Sequence, residues 1–109
     1  MKYLGTKQLI STTLGTSNLR AGVNAGKSIA SGGNYNTLVG DESGIANTTG
    51  DNNVAVGYQA LYSNTTSTLN VAIGNSALYN NTSGTQNTAV GYEALKANTT
   101  GFNNTAVGT

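Results

Sequence analysis

"NVAIGNSALYNNTSGTQNTAVGYEALKANTTG", residues 70–101, contains nearly the same phrase twice. The glycine of that phrase recurs at Gly40, Gly57, Gly74, Gly91 and Gly108, and Asn36, Asn53, Asn70, Asn87 and Asn104 keep the same spacing of 17. A fixed period of this size points to one structural unit stacked on its copies. Further back, Gly22 lies 18 residues before Gly40 and Gly5 lies 17 before Gly22, with Leu9 and Gly15 in phase with Leu61 and Ser67. The 109 residues therefore read as repeats 1–17, 18–35, 36–52, 53–69, 70–86 and 87–103, followed by "NTAVGT" from a seventh. We read a single domain, in which residues 1–35 are degenerate N-terminal coils and residues 36–109 are the regular array.

The consensus, N-[TV]-A-[VI]-G-Y-x-A-L-x-x-N-T-T-G-x-N, disfavours helix, because its glycines, Asn and Thr would interrupt any apolar stripe. Short strands joined by tight corners fit better. "NTAVG" and "xALYxN" read as two segments with alternating faces, and the Asn, Gly and Ser between them tolerate left-handed backbone. The expected fold is all-β: a parallel β-solenoid of about 17 residues per coil and six to seven coils, each hydrogen-bonded to the next at about 4.8 Å.

Stacking aligns equivalent residues in ladders. The larger aliphatic residues are expected inside, so Val39, Val56, Ile73, Val90 and Val107 form one core ladder and Leu61, Leu78 and Leu95 a second. Alternation places Thr37, Val54, Val71, Thr88 and Thr105 with the first ladder and turns the alanines at 55, 72, 89 and 106 outward. Gly40, Gly57, Gly74, Gly91 and Gly108 mark the corners. Asn47, Asn64, Asn81 and Asn98 line up so that their amides can bond along the axis.

Composition narrows the function. The chain has 16 Asn, 17 Thr and 15 Gly but neither His nor Cys, so a metal could draw only on four scattered carboxylates, and neither a metal nor another cofactor is expected. With a net charge of +1 and no basic run, nucleic acid and anionic membranes are poor partners, and no apolar stretch is long enough for membrane insertion. "MKYLGTKQLISTTLG" lacks the apolar core of a secretory signal. No enzyme is expected, since Glu93 beside Lys96 has no nucleophile or second acid near it in sequence. The "NTT" and "NTS" triplets match a glycosylation acceptor but recur simply because the repeat recurs.

Two features favour assembly over chemistry. A thin coil buries few side chains, so extra burial by oligomerisation is expected. Lys2, Lys7, Arg20 and Lys27 precede all four acids, and no cap is visible on the last coil. Unpaired edges with opposite charge suggest head-to-tail addition of copies. The alternative is a binding module. Tyr58, Tyr62, Tyr79 and Tyr92 form a candidate surface ladder for a sugar, and a Thr ladder could face ice. Thr48 and Thr49 are adjacent, however, and so would not form paired ranks on one strand.

The segments "NVAVGYQALYSNTT", "NVAIGNSALYNNTS" and "NTAVGYEALKANTT" resemble the NTAVGYQALYSNTTG arrays of phage tail-fibre-like and bacterial surface proteins. Their "VAIG" core is similar, more distantly, to the head repeats of trimeric autotransporter adhesins. The resemblance covers residues 36–109 and implies a self-associating shaft or adhesive surface, filament or trimer, on a virion or outside a cell, with surface glycans as further partners. The 17-residue period departs from the shorter adhesin repeats. The expected function is therefore that of a structural fibre protein, with a carbohydrate-binding or ice-binding module as the alternative.

Overall fold

A computed structural model describes residues 15–109; the first repeat, with Gly5, Leu9, Lys2 and Lys7, falls almost wholly outside them. The described residues form a β-solenoid of about five turns. From residue 18 on, each repeat contributes one short strand, the last of them from the partial final repeat: β1 (Leu19–Ala21), β2 (Thr37–Val39), β3 (Val54–Val56), β4 (Val71–Ile73), β5 (Thr88–Val90) and β6 (Thr105–Val107). They form one parallel sheet in sequence order, and each residue pairs with its repeat equivalent, Val54 with Val71 and Ala55 with Ala72. Where the period is 18, Leu19 still pairs with Thr37. The Ala30 N–H bond to Thr48 O, 18 residues on, and the Asn18 Nδ2 bond to Gly33 O, 15 residues on where Asn53 Nδ2 reaches Ser67 O after 14, place the extra residue of that coil within "SGG", residues 31–33.

Among the described residues only the "NTAVG" part of each repeat supplies a strand; the second expected strand, "xALYxN", is a run of turns. Ala60 N–H donates to Gly57 O and Asn64 N–H to Leu61 O, while Gln59 and Leu61 both have positive φ, 58° and 53°. Alternating left-handed residues curl the chain too tightly for a flat strand. These turns still stack, because Leu61 N–H reaches Ala77 O at 2.9 Å and Gln59 N–H reaches Asp41 O at 3.0 Å.

The strand faces are opposite to the expectation. Ala55, Ala72 and Ala89 are fully buried, whereas Val39, Val56 and Val90 are half-buried and Ile73 and Val107 are 39% and 78% exposed. The Val and Ile ladder thus lies on the outer face, together with Thr37, Val54, Val71, Thr88 and Thr105. The reason is volume. Leu61 and Leu78, fully buried, already fill the interior from the turn side, and two rows of Asn occupy the rest, so only a methyl fits beneath each strand. Leu95 is half-buried against the same cluster.

The coil of residues 36–52 solves the same volume problem in reverse. Leu38 takes the buried alanine position, and Gly44 takes the leucine position with the same left-handed backbone, φ 57° against 53° at Leu61. A Cβ on Gly44 would come within 2.7 Å of Leu38 Cδ2. One large side chain per coil is the rule, and either wall can supply it.

Candidate functional surfaces

Two amide ladders run through the interior. In the expected one, Asn64 Nδ2 donates to Asn47 Oδ1 at 2.9 Å, Asn81 Nδ2 to Asn64 Oδ1 at 3.1 Å and Asn98 Nδ2 to Asn81 Oδ1 at 2.9 Å. The second consists of the Asn residues that precede each strand. Asn53 Oδ1 accepts the backbone N–H of Asn70 and Asn70 Oδ1 that of Asn87, both at 3.0 Å, while Asn53 Nδ2 donates to Ser67 O at 2.9 Å. Ser67, standing where other coils have glycine, donates its hydroxyl to Asn64 Oδ1 and bridges the two rows. Among the described residues no buried side-chain nitrogen or oxygen lacks a partner. These amides are consumed in holding coil to coil and offer nothing to a ligand.

The corner glycines Gly40, Gly57, Gly74, Gly91 and Gly108 all carry positive φ, between 119° and 135°. A Cβ on Gly57 would lie 2.7 Å from both the carbonyl carbon and oxygen of Gly74. Close coil contact, as well as backbone freedom, therefore demands glycine there.

The four candidate tyrosines divide into two pairs. Tyr62 and Tyr79 stack with centroids 4.7 Å apart and planes within 5°, and the Lys96 ammonium sits 5.8 Å from the Tyr79 centroid. This pair closes on itself. Tyr58 and Tyr92 are 50% and 57% exposed, two rungs apart, with Asn75 on the rung between them. Backbone bonds fix that register: Ser76 N–H donates to Tyr58 O and Glu93 N–H to Asn75 O, each at 2.9 Å.

The acids are bound into local structure. Asp41 accepts Val23 N–H and Asp51 accepts Asn34 N–H, each tying one coil to the previous one. Glu42 accepts Gln59 Nε2, and Glu93 pairs with Lys96 at 2.9 Å. The hydrogen bond that Lys96 donates to Glu93, followed by the carboxylate's charge, raises the Lys96 pKa above the usual lysine value. Among the described residues no cluster of three His, Cys, Asp or Glu side chains could hold a metal.

Sequence reasoning missed the outer wall of the sheet. Two columns of Thr, Val and Ile run along β2 to β6 without a charged residue. Gly44 opposite Leu38 was the signal that could have revealed it, since a glycine in the Leu61 column frees space for a larger residue beneath the strand. Compared with protein-family models, curated proteins and solved structures, the chain matches none.

Proposed function

We propose that this chain is a non-enzymatic structural protein whose coils self-associate to build an extracellular or virion-surface fibre. The observation that carries the reading is the uncharged outer wall, two columns of Thr, Val and Ile across the parallel strands. Apolar walls of this kind mark association surfaces. A second copy has the same rung spacing of about 4.8 Å, so its side chains can interdigitate along the whole length of the wall. Along the axis, a coil of another copy would meet the same pattern of donors and acceptors that each coil offers the next. The likeness of residues 36–109 to tail-fibre and surface-protein repeats supports the setting.

The test is electron microscopy with sedimentation of the wild type and of Ile73→Asp, whose side chain lies on the wall. Fibres or discrete oligomers are expected from the wild type, and smaller species with an unchanged circular dichroism spectrum from the variant. A wild type that stays monomeric at high concentration and low salt would overturn the proposal.

A further inference from the structure

At the first turn position the successive residues are Val23, Asp41, Tyr58, Asn75, Tyr92 and Thr109, so a single rung separates the two tyrosines. Tyr58, Asn75 and Tyr92 occupy successive rungs, held in register by the backbone bonds described above. Both tyrosines are at least half exposed, and Asn75 is exposed between them. The neighbouring column shows what a filled pair of rungs does: Tyr62 and Tyr79 lie parallel at 4.7 Å. The rung that carries Asn75 instead of a ring therefore leaves about 9.5 Å, two strand spacings, between aromatic positions.

That gap selects its occupant. A flat aromatic ring packs at about 3.5 Å on each face and would leave a slot of this width loose, while two rings would need more than about 10 Å. A saccharide chair is thicker, and its C–H faces rest at about 4 to 4.5 Å from an aromatic plane. The Asn75 amide supplies the polar floor. Its Oδ1 accepts the Ser76 hydroxyl at 2.9 Å, and its amide N–H groups have no acceptor among the described residues. We infer that Tyr58, Asn75 and Tyr92 form a slot for a single pyranose ring, stacked on both faces and held at one edge by the Asn75 amide.

Stacking on both faces requires both to be bare of hydroxyls. The class that meets this is the β-gluco configuration, with every ring substituent equatorial; an axial hydroxyl, as in galactose at C4 or mannose at C2, obstructs one face. The inference is independent of fibre formation, since the slot lies within one chain and around the Gly57, Gly74 and Gly91 corner from the outer wall.

The experiment is a titration of the full chain with methyl β-D-glucopyranoside, followed by tyrosine fluorescence and by saturation transfer to the sugar protons, with methyl β-D-galactopyranoside as comparator. Saturable binding on the order of millimolar is expected, as one ring with few polar contacts allows. The galactoside should bind about tenfold more weakly, the loss of one stacked face. Asn75→Tyr fills the rung and should abolish binding, and Tyr92→Ala should weaken it about tenfold; Tyr79→Ala, in the other column, should leave it unchanged. Circular dichroism confirms that each variant is folded. The inference is overturned by no saturable response from the glucoside, by equal affinity for the galactoside, or by undiminished binding in either Asn75→Tyr or Tyr92→Ala.

Discussion

A leucine held at φ 53° is unusual, because its Cβ crowds the backbone in the left-handed region. Leu61 and Leu78 accept that conformation because full burial and a bond from each N–H to the next coil outweigh it. Glycine at the corner has a second reason, and two substitutions separate the causes. Gly57→Ala meets the Gly74 carbonyl and should destabilise by about 2 kcal/mol or more; Gly108→Ala, with nothing within 4 Å of its Cβ, should cost about 1 kcal/mol, both read from denaturant midpoints. Asn70→Ala removes an acceptor from Asn87 N–H and a donor from Gly84 O, both buried, and about 2–3 kcal/mol should be lost in the same assay. Lys96 behaves differently. Its pKa is raised in the fold, so its contribution is present at neutral pH and disappears as pH climbs through the raised value, above 10.5. Because the pair is exposed, Lys96→Gln should lower the denaturant midpoint only slightly at pH 7.

Each strand is three residues long, and its inner and outer sides carry different duties. Ala72→Asp would bury an unpaired charge and should destabilise by about 3–5 kcal/mol. Ile73→Asp, one residue along and 39% exposed, should leave the thermal midpoint nearly unchanged while weakening self-association. The pair of variants reads the strand's orientation directly. The exchange between Leu38 and Gly44 makes a sharper test of interior volume. Leu38→Ala should cost about 2–4 kcal/mol through a cavity, and Gly44→Leu about 1–3 kcal/mol through overlap with Leu38. Together they recreate the Ala55 and Leu61 arrangement, so a double-mutant cycle should show recovery of most of the combined loss.

At the scale of the molecule, stability accumulates by neighbours. Each inner strand pairs only with the one before and the one after, and the row of Asn residues ahead of the strands runs from Asn18 to Asn104. Solenoids of this kind gain stability with each added repeat. Inserting a second copy of residues 70–86 after Gln86 should lengthen the particle by about 4.8 Å in small-angle scattering and raise its thermal midpoint. Omitting Thr82 from the inserted copy would shift one coil out of register, separate the Asn rows and lower the midpoint below that of the parent. A midpoint insensitive to register would mean that the ladders contribute little.

The 17-residue period by itself determined the parallel solenoid, the in-register pairing, the corner glycines and the Asn47 to Asn98 ladder, because stacking equivalent residues leaves no freedom in which residues meet. It also fixed the two sets of alternate strand residues. Which set faced inward was decided only by the tertiary structure: hydrophobicity ranks Val and Ile above Ala, but interior volume is shared with Leu61, Leu78 and the Asn rows, which approach from the opposite wall. The same limit hid the division of the tyrosines. Phase alone showed that Tyr62 and Tyr79 occupy adjacent rungs, but their mutual stacking and the exposure of Tyr58 and Tyr92 depend on how the left-handed turn at Gln59 and Leu61 aims each side chain, which only the folded coil settles.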